Sequence, residues 1–319
     1  MKRRTLNMAA LVLWSQSTGW ALADELFPSK PVKVIVPYPA GGVVDLQTRA
    51  MAQGLAAELG QGVVVDSRPG ANGNIAAEAV ARSPADGYTL LVSAPYLINN
   101  PLIESNLRWA PKDFVPLARF SMSPSFMCVP AASPARTVRE YVEMARRAKP
   151  MLQFGDPGTG TTQTMAVEIL KSTAGIEIEG IAYKGAPPLA IDLINNNFSM
   201  SVLPSSVAYP HVKSGKLRAL ATTSSARSAQ LPDVPTMAEA GYPEATVISW
   251  YGLHAPINTP ASVMRKLEAA IKAAVQKGET QNRLVSAGGE AAYLGTEEFT
   301  KFIASDGQMW ERINRMLRK

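Results

Sequence analysis

Two glycine-rich segments carry the residue types that could hold a small charged molecule. Pro37-Tyr38-Pro39-Ala40-Gly41-Gly42-Val43-Val44-Asp45 offers backbone amides, a phenol and a carboxylate. Gly155-Asp156-Pro157-Gly158-Thr159-Gly160-Thr161-Thr162 offers amides, hydroxyls and a second carboxylate. Glycine lets a backbone approach a ligand closely, and the free N–H groups where a loop opens a helix attract anions. No Lys or Arg occurs from Pro37 to Thr48 or from Phe154 to Leu170. An anion held there would depend on amides, hydroxyls and helix dipoles, each dipole contributing about 0.3–1 kcal/mol, which suits reversible capture. The second segment has the outline of a nucleotide phosphate loop, but Thr161 stands where that chemistry needs lysine. The first lacks the glycine spacing of a dinucleotide fingerprint. Each loop alone could be an ordinary strand–helix turn; two of them, polar-tipped and both opening helices, favour a shared cleft.

Other reactive side chains offer less. There is no G-x-S-x-G elbow, and His211 and His254 each lack a recognisable nucleophile partner. His211 reads as a residue at a helix end, and His254 as one following a strand, both structural or solvated. Cys128 lies in an apolar stretch and reads as a small core residue. With one cysteine and two histidines, a His/Cys metal site and a disulfide scaffold are both excluded, and no cofactor is implied. Asp45 and Asp156 could form a carboxylate pair in a cleft or serve helix starts; capping is preferred for Asp45.

The elements that must position these loops alternate strand and helix. Val32–Val36 reads as a strand between prolines, residues 44–59 as a helix stopping at Gly60, and Val63-Val64-Val65 as a second strand. A helix over 74–82, a turn at Asp86-Gly87 and a strand over 88–93 follow. A helix over 137–148, a strand near 152–154, a helix over 161–173 and strands near 178–182, 199–203 and 217–223 continue the pattern. A strand near 247–255 and helices over 260–277 and 296–317 close it. Such alternation implies parallel sheets with crossover helices. Two α/β lobes follow, with proline-rich crossovers near 121–134 and 249–256.

The chain has 319 residues, 46% hydrophobic and 18% charged, enough for a sizeable core and incompatible with disorder. Residues 1–23 read as a secretory signal peptide: a basic start at Lys2, Arg3 and Arg4, an apolar run from Met8 to Trp14, and a cleavage site ending at Ala23. The run is too short to span a bilayer. Its removal takes three basic and no acidic residues and lowers the formal charge from +6 to +3, so the basic balance does not point to nucleic acid.

At this point the chain resembles a known family. Pro28-Ser29-Lys30-Pro31 with Val34 through Gly42 and Asp45 is similar to the opening of mature Bug-type proteins, the periplasmic solute receptors of tripartite tricarboxylate transporters. Arg68 through Glu78, Asp86 through Leu91, Tyr183-Lys184-Gly185, Gly215 through Leu220, Leu231 through Gly241, Ser249 through Leu253 and Ala255-Pro256 extend the resemblance over essentially the whole mature chain. It implies an α/β, two-lobed type II periplasmic-binding-protein fold, each lobe a mixed sheet flanked by helices, with the cleft between lobes. The expected division is 24–124 plus 250–319 for lobe 1 and 125–249 for lobe 2.

The resemblance further implies a periplasmic, non-enzymatic, monomeric receptor that takes up a small organic carboxylate and delivers it to membrane permease subunits. A sensing subunit that presents the ligand to a signalling protein stays open as an alternative. Carried over by position, the ligand would meet Tyr38, Ala40, Gly41, Gly42 and Asp45 in one lobe. In the other it would meet Gly158, Thr159, Gly160, Thr161 and Thr162. Ser93, Ala94 and Tyr96, with Pro204 and Ser205, would line the walls, and Lys184 would be a countercharge or a solvated lysine. Family members often read Gly-Gly-Gly-Thr-Asp where this chain has Val43 and Val44, and many have Asp-Asn where it has Leu203-Pro204. The loop between Val92 and Ile98 is also shorter than usual. A hydroxyl and an acidic wall are thereby lost, which implies a ligand with an apolar or aromatic body rather than an amino acid.

Overall fold

β-Branched runs build the first sheet. The computed structural model describes residues 27–158, 161–183 and 185–317; residues 1–23, Thr159, Gly160 and Lys184 of the sequence expectations lie outside them. Strands β1 (Val32–Val36), β2 (Val63–Ser67) and β3 (Thr89–Ser93) pair in parallel, linked through helices α1 (Val43–Leu59) and α2 (Asn74–Ala81). Gly60 ends α1 at φ 65°, a left-handed position that glycine adopts without Cβ strain. Helix α3 (Tyr96–Ile103) follows β3 after only Ala94 and Pro95. It was not apparent from the sequence, because Pro101 and the Asn99-Asn100 pair weaken its helical signal.

β4 (Phe114–Ser123) and β5 (Ser125–Pro130) form one nearly continuous extended stretch broken at Pro124. The expected crossover over 121–134 is therefore strand for most of its length; a proline at a junction ends one strand and starts the next without breaking a ladder. Helix α4 (Val138–Arg147), capped by the Thr137 hydroxyl, leads to β6 (Gln153–Asp156), α5 (Thr162–Ala174), β7 (Glu179–Ala182) and α6 (Ala186–Ile194). After these come β8 (Ser201–Pro204), α7 (Ser205–Lys213) and β9 (Leu217–Thr222). The second expected crossover, over 249–256, is β10 (Ser249–Pro256), buried along its whole length. Helices α8 (Ala261–Gln276) and α9 (Gly278–Ser286), strand β11 (Glu290–Leu294) and helix α10 (Thr296–Leu317) complete the chain.

The six-stranded sheet has the order β11-β4-β10-β3-β1-β2. Its β10 and β11 pairings are antiparallel, so the sheet is mixed rather than parallel as alternation alone predicts. The reason is directional: β4 leaves the first sheet as β10 returns to it, and the two run side by side with Ser249 opposite Ser123. A second assembly joins the sheet β8-β5-β9 to the pair β6-β7 through a bridge between Phe154 and Met200. Separate hydrophobic clusters fill the two halves, one around Val34, Leu91 and Leu253 in the first, and two in the second, around Tyr141, Ile169 and Met200 and around Phe126, Leu193 and Leu203. Helix α10 spans both: Phe299 and Phe302 stack their rings near Trp250, while Trp310 and Ile313 lie in the second cluster.

Candidate ligand-binding site

A cavity of about 230 Å³ opens where the two halves face each other. Tyr38, Val43, Val44, Asn72, Ala94 and Tyr96 line it from the first sheet's side, and Thr161, Thr162, Gln163 and Pro204 from the second's. The crossing strands contribute Ser123, Ser249 and Tyr251, helix α3 adds Asn99 and Asn100, and the C-terminal helix α10 adds Trp310. Helices α1, α3, α5 and α7 all start at this space: Val43, Tyr96 and Thr162 are first residues, and Pro204 precedes Ser205. Four positive dipole ends therefore converge on one volume, although some of the first N–H groups are already bonded: Ser205 N donates to Pro124 O, Leu97 N to Ala94 O, Ile98 N to Pro95 O and Thr164 N to Thr161 Oγ1. Among the described residues, none that lines it is charged.

Local hydrogen bonds shape both loops. Asp45 accepts from Gly41 N, Arg49 Nε and Ser67 Oγ, each at 2.9 Å, with its side chain almost wholly buried. Burial pushes this carboxyl up, but the bonds from Arg49, Gly41 and Ser67 outweigh it and hold it below the usual range. Its position in the first turn of α1 also suits the dipole. In the second loop Asp156 accepts from Gly158 N at 2.8 Å and from Thr164 Oγ1 at 2.5 Å. The Thr161 hydroxyl caps α5 by accepting from Thr164 N at 3.2 Å. The two carboxylates therefore organise their own loops instead of pairing with each other. Thr162 Oγ1 lies 2.5 Å from Ser249 Oγ, a bond that joins the second loop to the crossing strand.

Of the residues singled out in the sequence, Tyr38, Ala94, Tyr96, Thr161, Thr162 and Pro204 reach the cavity wall. Ala40 and Gly41 are exposed beside it, with Gly42 preceding the lining residues Val43 and Val44. Gly158 supports its loop, and Ser93 is buried against His254, its Oγ 2.8 Å from Nδ1. Ser205 donates its hydroxyl to Gly288 O, as does Ser123, both at 2.9 Å. His254 itself sits inside β10, not after a strand, and burial pushes it down to about 3, so it is neutral. His211 lies near the end of α7.

Sequence reasoning missed Asn72, Asn99, Asn100, Ser123, Gln163, Ser249, Tyr251 and Trp310. Gln163 directly follows the second loop, and Asn72 sits in a turn-rich stretch, so proximity could have suggested both. Trp310 gave no signal, since a tryptophan on a helix face normally reads as core.

The phenols remain protonated. Burial, with the neighbouring Tyr251, raises Tyr38 above the usual tyrosine range, and burial pushes Tyr251 up to about 12 despite hydrogen bonds with Ser123 and Ser249. The described wall of the cavity is thus neutral, with helix starts at its edge and no basic side chain.

A family model described as Tripartite tricarboxylate transporter family receptor (TctC) matches residues 47–318. The chain belongs to this family. BugT of Bordetella pertussis is 30% identical over 315 residues, covering 98% of this TctC chain and 97% of BugT. A TctC solute binding protein from Polaromonas superposes with a TM-score of 0.79 at 28% identity, over 91% of this chain and 99% of that one. An R. palustris protein solved with adipate gives a TM-score of 0.79 at 29% identity, over 91% and 98% of the two chains. Family and fold are those of two-lobed periplasmic solute-binding receptors, as the sequence resemblance implied. Among the described residues of the TctC chain, no helix is long and apolar enough to cross a membrane.

Proposed function

We propose that this TctC-family chain is exported, cleaved after Ala23, and captures a small organic carboxylate for delivery to the membrane subunits of a tripartite tricarboxylate-type transporter. Residues 24–124 plus 250–319 form one lobe and 125–249 the other, and the crossings at Pro124 and Ser249 act as the hinge. The observation that carries this reading is the convergence of four helix N-termini on a cavity whose described wall has no charge. The carboxylate is held by amide N–H groups and hydroxyls of the loops after β1 and β6, with Ala40, Gly41, Gly42 and Gly158 shaping them. Asp45 fixes its loop rather than touching the ligand. The adipate bound by the R. palustris neighbour accords with this ligand class.

The test is a thermal-shift screen across mono-, di- and tricarboxylates, each paired with its neutral carboxamide. At least one acid raises Tm and its amide does not. No response to any acid, or an equal response to the amides, overturns the reading. Co-purification of the membrane subunits with the ligand-loaded protein checks delivery.

A further inference from the structure

Many polar side chains of the cavity wall are bonded to neighbouring residues, whereas the Tyr38 hydroxyl, Asn99 Nδ2, Asn72 Oδ1 and Gln163 Oε1 have no hydrogen-bond partner among the described residues. Trp310 donates its indole N–H to Asp306 Oδ2 at 3.2 Å, an acceptor it shares with Trp250 at 2.9 Å. Tyr96 donates its hydroxyl to Val92 O at 3.2 Å, and the Tyr251 hydroxyl bonds with Ser123 and Ser249. Asn72 and Asn100 are bonded to each other, and Asn99 Oδ1 accepts from Asn314 Nδ2 at 2.9 Å. Asn72 Nδ2 donates to Asn100 Oδ1 at 2.8 Å, and Asn100 Nδ2 donates to Asn72 O at 2.9 Å and Asn74 Oδ1 at 2.8 Å. Gln163 Nε2 donates to Ser125 Oγ at 2.9 Å, and the hydroxyls of Thr162 and Ser249 bond each other.

Besides those few polar atoms, two kinds of surface remain for a ligand. One is the amide N–H groups at the helix starts, suited to an anionic end. The other is ring and aliphatic surface from Trp310, Tyr96, Tyr251, Val43 and Val44. A heavily hydroxylated or amino-bearing body would exchange its hydration for only those few open polar atoms, which penalises binding. A flat ring is favoured, because aromatic rings in offset or edge-to-face contact gain beyond their buried area. The volume agrees: at interior packing density, ~0.74, the cavity leaves room for roughly 170 Å³ of ligand, one ring with its carboxylate and a small substituent.

We infer that the site selects aromatic carboxylates, benzoate-sized acids whose ring lies against Trp310 and whose specificity is set by Trp310 and Val43. This rests on the reading of the chain as a carboxylate receptor. Trp310 comes from the C-terminal helix, far in sequence from both glycine-rich loops, and its indole is fixed through Asp306.

Calorimetric titration of the secreted protein with benzoate, 4-methylbenzoate, cyclohexanecarboxylate, adipate and malate tests the inference. The aromatic acids bind about tenfold tighter than cyclohexanecarboxylate or malate. Trp310→Leu narrows the benzoate-to-cyclohexanecarboxylate ratio to about threefold or less. Since Trp310 is buried and its loss could unfold the protein, Val43→Thr provides the second variant: half-buried at a helix start, it adds a hydroxyl to the wall and raises malate relative to benzoate. Saturated or hydroxylated acids binding as tightly as the aromatic ones overturn the aromatic assignment and leave the carboxylate receptor standing. Failure of every acid overturns both. Unchanged ratios in folded Trp310→Leu and Val43→Thr remove these residues as determinants of specificity.

Discussion

Gly41 sits at φ +78° with open space where a Cβ would project, two residues before α1 begins at Val43. Asp and Asn both tolerate this left-handed region better than other side chains, so they impose similar backbone costs and differ in charge. Gly41→Asp sets a carboxylate beside the anion site and lowers ligand affinity at least about tenfold by like-charge repulsion, whereas Gly41→Asn keeps most of it. Calorimetry on both variants, with matched Tm values, separates charge from strain. Asp45 calls for a pH series. Its depressed value means its stabilising bonds are present above the ordinary carboxylate range and lost as pH falls through the folded-state value. Asp45→Asn therefore lowers Tm at pH 7, and the gap to the wild type closes below about pH 4. A gap that stays constant with pH would mean the charge on Asp45 does not hold the loop.

Helix α10 carries the next scale. Asp306 is buried between Trp250 and Trp310 and faces Arg119, whose Nε is bonded to Ala292 O. Burial raises Asp306 to about 6, against the indole bonds and Arg119, which lower it. A raised carboxyl contributes stability that is full below its ordinary value near ~4 and lost as pH rises through about 6. Tm of Asp306→Asn relative to wild type accordingly rises between pH 4 and pH 7. A flat difference across that window would show Asp306 ionised throughout. The elements themselves were largely legible: β1, β2 and β3 from β-branched runs, α1 from its stop at Gly60, α4 from the Thr137 cap. Helix α3, helix α9 and strand β11 were not, because a short element with Pro101, or with a sequence such as Ala291-Ala292-Tyr293, lacks periodicity and is held by its neighbours.

At the scale of the molecule, the proposed hinge lies where two adjacent strands and one long helix join the two halves, and a ligand that contacts both halves would stabilise the closed arrangement. At a hundredfold excess over Kd it adds about 2.7 kcal/mol, which for a chain of this size raises Tm by roughly 5–10 °C. Small-angle scattering should register a smaller radius of gyration with ligand than without. An unchanged radius together with a raised Tm would place binding within one half rather than between the two. Helix α10 makes closure more than a matter of two loops, since Trp310 reaches the cavity from a helix whose earlier turns pack on the first sheet.

Local chemistry was decided by the order of residues alone. Glycine, proline, Asp45 and Thr161 dictate how each strand turns into its helix, because backbone freedom and short-range hydrogen bonds act over four or five residues. The absence of Lys and Arg from both loops is a property of the same kind. What required the tertiary structure was convergence. Whether α1, α3, α5 and α7 start at one cavity, whether β4 and β10 run antiparallel, and whether Trp310 is core or wall all depend on contacts between residues tens to hundreds of positions apart. Such contacts are set by how two hydrophobic clusters pack against a shared helix, and a hydrophobic side chain has the same periodicity in a sequence whether it faces its own core or a ligand.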